Sequence, residues 1–361
     1  MEKAFITGAT GFIGNDLLKA KIRETNIKSF KLLVRNKEKA TEELSEIIKI
    51  AENLGKSMEF LKGDITQLNL GISNNELSSL KDIQEVYHLA SIISLSNEEK
   101  DKELIFKSNI DGTKNVLDVF KDSNKLRNFY FFGSAFSCGK TKELVKEDWM
   151  QKPVSFRNFY EESKWITENL IKRYIEEKNM PIILLRPSIV AISSKNEFLK
   201  VKNQTFYYYS RTLRKAISLQ STNKPIRLIG KPTSISNIIN LEDLIKLILE
   251  IRKLKEKKSI YNIVNPSNLS TNSFIEAIKE NLKFESGFIF LEDLDYGSLS
   301  EAERFIYDRT KAYFEYNLDD SSKWGCSNTE EFRKKLNIQE IDNHWIKEHI
   351  KDFFSFLENE R

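Results

Sequence analysis

Residues 3–15 read KAFITGATGFIGN. The apolar run Ala4, Phe5, Ile6 reads as a short strand, and the segment opening at Asp16, Leu17 and Leu18 is amphipathic. The pattern therefore predicts strand, tight turn and helix. Gly8, Gly11 and Gly14 stand three residues apart across the turn. Gly8 permits a sharp bend where a Cβ would clash. Gly11 lets backbone N–H groups approach a pyrophosphate, and Gly14 lets the helix pack closely on the strand. Thr10, Phe12 and Ile13 fall in the same turn and are assigned to the same ligand. The helix N-terminus adds unpaired donors and a positive dipole end. Three glycines alone could mark a plain turn; a strand before them and a helix after them supply the context of a dinucleotide-binding fingerprint.

The chain has 361 residues, enough to bury a large core as one domain or as two that share a cleft. Hydrophobic residues make up 40% and charged residues 30%, the balance of a soluble globular protein. A net charge of +4 is small for this length and gives no argument for nucleic acid. Cys138 and Cys326 lie far apart, which suggests a reducing compartment and no disulfide framework. His344 and His349 do not share a helix face, and no metal-ligand spacing is present. No apolar run reaches the ~18 residues of a membrane span. With a cofactor strand at the N-terminus in place of a signal peptide, the expectation is a cytoplasmic protein.

Further strands follow in order: Phe30–Val34, Met58–Leu61, Val86–Ala90 and Phe129–Phe132. Between them, Ala40–Leu54 carries Leu44, Ile47, Ile48, Ala51 and Leu54 at helical spacing, and Asn109 opens a second helical run. Alternating strands and helices predict an α/β fold, a doubly wound parallel Rossmann-type sheet with ligands at the strands' carboxyl ends. Arg35 stands at such an end, where an acid would accept from a ribose 2′-hydroxyl and an arginine would pair with a 2′-phosphate. With Lys37 or Lys39 beside it, Arg35 favours NADPH over NADH; a solvated basic loop is the alternative for the two lysines. Asp64 and Ile65 follow the third strand, where a carboxylate can bond an adenine amino group or simply close a turn. Ala90 and Ser91 are small residues where a flat cofactor must pass.

Ser134 follows the fifth strand, and Tyr160 and Lys164 lie four apart at the start of a helix, on one face. The Lys164 ammonium, with a positive nicotinamide, would lower the Tyr160 phenol toward the working pH. Ser134 would hydrogen-bond a substrate carbonyl and steady a developing oxyanion. A Tyr–Lys pair by itself is usually a snorkelling surface pair. Joined to the glycine fingerprint and Ser134, it becomes a constellation for carbonyl chemistry.

TGATGFIG, Gly63-Asp64-Ile65, HLAS, NIDGT, Ser134 and YEESK, in this order over roughly residues 3–190, resemble the extended short-chain dehydrogenase/reductase family. The resemblance implies an NAD(P)-binding Rossmann domain, a smaller carboxyl-terminal substrate domain and a catalytic set of Ser134, Tyr160 and Lys164, with Ser137 a weaker substitute for Ser134. Asn109, Tyr160, Lys164, Pro187, Ser188 and Val190 join the cofactor set on the same basis. PIILLRPSIV at 181–190, read as a sixth strand passing under the nicotinamide, is similar to the branch containing fatty acyl-CoA reductases and assembly-line thioester reductase domains. ISNIINLEDLIKLIL at 235–249 and YNIVNP at 261–266 fit that branch, with a helix starting near Thr271. The expected division is 1–190 plus about 235–265 for the cofactor domain, and about 191–234 with 266–361 for the substrate domain.

Ser193–Asn223 departs from a simple nucleotide-sugar enzyme. Phe206, Tyr207, Tyr208 and Tyr209 precede a basic helix with Arg211, Arg214 and Lys215. They read equally as a groove wall for a long acyl or pantetheine chain, with cations for its phosphate, or as a packed aromatic cluster with a solvated basic face. Beyond Phe284, Ala302–Tyr316 and Thr329–Leu336 look helical, and Trp345–Leu357 carries an apolar stripe. The first expectation is an NADPH-dependent reductase of a carbonyl or acyl thioester on coenzyme A or a carrier protein, giving aldehyde or alcohol. No carrier or adenylation segment is legible, so a tethered substrate would arrive in trans. The rivals are a sugar-nucleotide epimerase or dehydratase or a ketone or sterol-type dehydrogenase of the same fold, and a non-catalytic NADP(H)-sensing regulator. Arg35 argues against the epimerase, and the presence of Tyr160 and Lys164 against the regulator. Family members often pair through the helices after the fourth and fifth strands, so a homodimer stays open.

Overall fold

The computed structural model describes residues 2–192, 198–201, 204–319 and 322–359. Its centre is a parallel sheet of seven strands. They are β1 (Glu2–Thr7), β2 (Ile27–Val34), β3 (Ser57–Lys62), β4 (Glu85–His88), β5 (Asn128–Phe132), β6 (Ile182–Pro187) and β7 (Ile260–Ile263), in the spatial order β7-β6-β5-β4-β1-β2-β3. Apart from the edge strand β3, the strands are buried on two faces over most of their length, so apolar residues run on with little polar alternation. Along β1, Ala4 and Ile6 enter one core with Tyr87 and Tyr130, while Phe5 enters the other with Val86 and Phe129. That period of two is the pleat of the strand. The chain leaves β3 at one edge and returns to β4 beside β1, so the sheet changes direction at β1 and opens a crevice at the carboxyl ends.

Helix α1 (Phe12–Glu24) buries Gly14, Leu17, Leu18 and Ile22 against the sheet. The helix expected over 40–54 is two, Lys37–Glu43 and α2 (Ser45–Asn53), broken at Leu44, whose side chain is fully buried at the break. Two further helices are α3 (Gly112–Phe120), preceded by a wide turn at Lys107–Asp111, and α4 (Phe159–Lys178). Asn158 caps α4 by accepting from the Glu161 N–H, and Asn179 ends it in the left-handed conformation.

The sixth strand is shorter than the 181–190 segment. It stops at Pro187, which has no N–H for the ladder, and Ile189–Ala191 turns away to pair with Ile238–Asn240. Helix α5 (Thr205–Leu219) contains the aromatic run at 206–209 instead of following it. Helix α6 (Leu241–Lys253) leads back to β7. Asn237 and Asn265 lock the two segments by exchanging hydrogen bonds, Asn237 Nδ2 to the Asn265 carbonyl at 2.8 Å and the Asn265 N–H to Asn237 Oδ1 at 2.9 Å. Helix α7 (Thr271–Asn281) starts where expected, capped by Ser270. Of the 193–223 stretch, residues 193–197 and 202–203 lie outside the described residues.

Two pairings beyond the sheet were not legible. Phe288–Leu291 lies parallel to Ile226–Ile229, and Lys323–Trp324 parallel to Leu144–Val145. The segment expected to be helical over 302–316 is α8 (Glu301–Thr310), a tight turn at Lys311–Tyr313 and a single helical turn at Phe314–Asn317. The last helix, α9 (Asn343–Asn359), buries Ile346, Ile350, Phe353 and Phe354 as the stripe requires. His349 joins them, with its Nε2 at 2.8 Å from the Tyr207 hydroxyl. Burial pushes the His349 imidazole down to about 4, so it packs as a neutral ring.

Candidate active site

A cleft of about 950 Å³ opens at the carboxyl ends of the strands. Its first half is built by the turn after β1. Gly8 has φ +75°, and a Cβ on it would stand 2.8 Å from the Ala90 nitrogen. A Cβ on Gly14 would stand 2.0 Å from the Gly8 carbonyl oxygen, so only glycine lets α1 approach β1 this closely. Gly11 donates its N–H to the Gly8 carbonyl at 3.0 Å, and no side chain caps α1. The first-turn N–H groups of α1 therefore face the cleft as an anion cradle, which fits a dinucleotide pyrophosphate.

Behind this cradle the end of β4 is fixed by a chain of bonds. The Thr7 hydroxyl lies 2.7 Å from His88 Nδ1 and accepts from the Ala90 N–H, and His88 Nε2 lies 3.0 Å from the Thr113 hydroxyl. Burial drives His88 down to about 3, so it serves as a neutral bridge. Arg35, Asn36 and Lys39 line the cleft at the end of β2. Arg35 is exposed, and Lys39 is paired with Glu43 at 3.7 Å. Asp64 also lines the cleft, with Oδ1 accepting from the N–H and hydroxyl of Thr66, the turn-closing arrangement. Ile65, Ala90, Ser91, Pro187, Ser188 and Val190 complete this half, with Thr10, Phe12 and Ile13 from the glycine turn.

Asn109 is placed differently. It is buried behind the cleft, where Oδ1 accepts from the Ile92 N–H at 2.7 Å and Nδ2 donates to the Ile92 carbonyl and the Ser163 hydroxyl, both at 3.0 Å. It ties the loop after β4 to α4 and does not line the cleft.

Ser134, Tyr160 and Lys164 meet at the centre of the cleft. Ser134 caps the turn Ala135–Cys138 by accepting from the Phe136 N–H at 3.1 Å, and its hydroxyl also bonds the Tyr160 phenol. The Ser137 hydroxyl instead lies 2.7 Å from both the Ser134 carbonyl and Glu168 Oε1, sharing its one proton between them, and is fully buried away from the cleft. Lys164 donates from Nζ to the Phe132 carbonyl at 3.0 Å. Burial pushes Lys164 down to about 8, against the pull of Glu168.

The Tyr160 phenol runs opposite to expectation. Burial pushes it up to about 12, with the Ser134 bond the one partial offset and Glu161 and Glu168 adding to the rise. Lys164 does not lower it here, because Nζ is directed at the Phe132 carbonyl and sits 5.8 Å from the centre of the phenol ring. At neutral pH the phenol holds its proton and is suited to donate it.

Beyond this trio lies an aromatic wall. Phe206 and Tyr209 of α5, Phe274 of α7 and Tyr313 form a continuous row, with ring centres 5.2, 5.9 and 5.9 Å apart in the order Phe206–Phe274–Tyr209–Tyr313. Phe136, Tyr316, Ile235, Ile238, Leu269 and Ile346 complete the chamber. Of these, sequence reading reached only the aromatic pair on α5. The rest come one or two at a time from distant segments, and no spacing signals them. The cations of α5 turn elsewhere: Arg211 lies over Tyr208, and Arg214 pairs with Glu358 at 3.2 Å. Of the four aromatics at 206–209, Phe206 and Tyr209 line the cleft, while Tyr207 is bonded to His349 and Tyr208 lies under Arg211; neither Arg211 nor Arg214 lines it.

A family model described as male sterility protein, an NAD-binding family, matches residues 6–229. Among curated proteins, the chain is 27% identical over 206 residues to the probable polyketide synthase 6 of Dictyostelium discoideum, covering 52% of this chain and 7% of that protein. It is 25% identical over 234 residues to fatty acyl-CoA reductase 1 of Xenopus laevis, covering 55% of this chain and 45% of that protein. The chain thus spans less than half the length of either relative. Among solved structures, the terminal R domain from the myxalamid PKS-NRPS biosynthetic pathway matches with a TM-score of 0.76 at 18% identity, over 100% of this chain and 91% of that one. UDP-glucuronic acid 4-epimerase from Bacillus cereus, in complex with UDP-glucuronic acid and NAD, matches with a TM-score of 0.68 at 19% identity, over 99% and 100%. Both structures share the fold.

Proposed function

The chain belongs to the male sterility protein family of the extended short-chain dehydrogenases/reductases, and on that premise we propose that it is an NADPH-dependent reductase of acyl thioesters. The acyl group would be presented on coenzyme A or a carrier protein delivered in trans. The observation that carries this reading is the chemistry of the chamber beyond Ser134 and Tyr160. The charged side chains lining the cleft, among the described residues, are Arg35, Lys39, Glu43, Asp64, Lys107 and Lys164. None comes from the elements that build the aromatic wall. A wall of Phe206, Phe274, Tyr209 and Tyr313 suits an apolar acyl chain.

The residues divide the work as follows. The uncapped start of α1 and the Gly8–Gly14 cradle hold the pyrophosphate, and Arg35 pairs with the 2′-phosphate. NADPH, when bound, supplies the hydride. Ser134 orients the thioester carbonyl and hydrogen-bonds its oxygen as charge develops there. Tyr160, bonded to Ser134 and protonated at neutral pH, donates its proton to that oxygen. Lys164 holds the nicotinamide ribose and keeps positive charge beside the phenol. Loss of the thiol from the resulting hemithioacetal gives an aldehyde. Residues 1–190 with about 235–265 form the cofactor side, and the remainder the substrate side.

The test is NADPH oxidation, followed by absorbance, with a panel of acyl-CoA and acyl-pantetheine thioesters, free aldehydes, ketones and UDP-sugars, with NADH in parallel. Thioester-dependent oxidation that prefers NADPH supports the reading. Oxidation with ketones or aldehydes alone, or conversion of a UDP-sugar without net oxidation, removes it.

A further inference from the structure

Arg157 lies just ahead of α4 and has no place in the chemistry above, yet its side chain is only 2% exposed. Nη1 donates to the Gly139 carbonyl at 2.9 Å and to Glu161 Oε1 at 3.0 Å. Nη2 donates to the Ser322 hydroxyl at 3.2 Å and to the Asp319 carboxylate. The Arg157 N–H donates to the second Glu161 oxygen at 2.9 Å. The guanidinium carbon lies 5.1 Å from the centre of the Tyr316 ring. The Tyr316 hydroxyl accepts from Asn158 Nδ2 at 2.8 Å and bonds the Glu161 carboxylate.

One guanidinium therefore joins three segments that are distant in sequence. The first is the loop that begins at Ser134 and ends at Gly139. Gly139 has φ +59°, and a Cβ there would stand 2.6 Å from the Ser155 carbonyl oxygen, so its backbone is held in one conformation. The second is the first turn of α4, where Tyr160 sits between Asn158 and Glu161. The third is 316–319 together with Ser322; its Tyr316 walls the substrate chamber and packs edge-on against Phe136 at 5.7 Å. The orientation is informative. Among the described residues, Arg157 Nε is buried without a partner while both terminal nitrogens are doubly engaged. A guanidinium placed only to neutralise Glu161 would use the Nε edge in a bidentate pair. This one forgoes that pair and bridges. A lysine has no planar fork with which to do so.

We propose that Arg157 is a positioning residue that holds the Ser134 loop, the Tyr160 turn and the Tyr316 wall in one frame. The carbonyl clamp, the proton donor and the substrate wall then keep a single geometry. The kinetic consequence rests on the reductase reading; the mechanical consequence does not.

The test uses Arg157→Ala in the full chain with NADPH bound. Removing the side chain leaves a space faced by two carboxylates and a carbonyl, a receptor for free guanidinium. The expected result is a fall in kcat of about 100-fold, with the NADPH Kd changed by less than about threefold. Guanidinium at non-denaturing concentration should recover about tenfold of the loss, and methylammonium should not. Hydrogen exchange should rise together at 134–139 and 313–319. If Arg157→Ala does not fold, Tyr316→Phe, which removes only the hydroxyl link, should lower kcat about tenfold and speed exchange at 313–319. A kcat within threefold of the parent, or exchange that rises in one segment alone, overturns the proposal. Should the parent turn over no thioester, the reductase reading fails, and the exchange result still decides the frame.

Discussion

Replacing Glu168 with glutamine tests how the floor of the site is held. The carboxylate is buried and accepts four hydrogen bonds. Oε1 accepts from the Ser137 hydroxyl at 2.7 Å and from Arg186 Nε at 3.2 Å, and Oε2 accepts from Arg186 Nε at 3.1 Å and Nη2 at 2.7 Å. Arg186 is fully buried, and its remaining donors reach the carbonyls of Lys146 and Asp148. A glutamine has one acceptor oxygen. Whichever way it turns, its NH₂ group meets one of the two pairs of donors that Glu168 serves. The Arg186 charge also loses its counter-ion. Breaking a buried pair by removing one partner costs about 3–5 kcal/mol, against a total stability of about 5–15 kcal/mol. Urea unfolding of Glu168→Gln should show a loss of that size. The double replacement Glu168→Leu with Arg186→Met should recover much of it, since neither charge is then left alone.

The same change reaches the chemistry. Glu168 is the group that holds Lys164 up against burial, which leaves it at about 8. Without the carboxylate, Lys164 loses its proton at lower pH, and turnover that needs the ammonium falls earlier as pH rises. The alkaline limb of the pH–rate profile should move by about one unit toward acid. A stability loss under about 1 kcal/mol, together with an unmoved limb, would refute the assignment of Glu168 as counter-ion to Arg186 and support of Lys164.

Gly14→Ala places a methyl group 2.0 Å from the Gly8 carbonyl oxygen, so the turn must open; NADPH binding by fluorescence titration should weaken by about 100-fold, with overpacking costing a further ~1–3 kcal/mol in stability. Arg35→Ser should raise the KM for NADPH by about tenfold or more and leave that for NADH nearly unchanged, as the loss of an arginine–phosphate pair requires; steady-state kinetics with both cofactors checks it. Tyr160→Phe should abolish turnover while NADPH still binds, because the ring remains and only the proton donor is gone.

How far the sequence could be read depended on whether the signal was local. The glycine turn, the buried strands and the helix bearing Tyr160 and Lys164 each carry their pattern within about 20 residues, and the parallel sheet follows from their alternation. Ser134 could be placed because it follows a strand, whereas the turn of the Ser137 hydroxyl toward Glu168 shows only in the folded chain. The direction of the Tyr160 shift was not legible. The spacing to Lys164 says they share a face, while the depth of burial, which decides the shift, depends on segments far away. The aromatic wall is hidden for the same reason: Phe274 and Tyr313 are ordinary in their own surroundings and meet Tyr209 only in the folded chain. Arg157 carries no pattern at all, since its partners lie at 139, 161, 319 and 322. The parallel pairing of Phe288–Leu291 with Ile226–Ile229 joins two four-residue runs about 60 residues apart, too short for periodicity to identify.

The central claim is that an acyl carbon in this cleft receives hydride from NADPH. It is tested most directly with NADPH deuterated at both C4 positions, an acyl-CoA thioester chosen for its turnover, and mass analysis of the product. An aldehyde product should carry one deuterium on C1, or an alcohol two, with free thiol released in equal amount to the acyl group consumed. Release of thiol with an unlabelled carboxylic acid, or label appearing only in a ketone or sugar product, would contradict it.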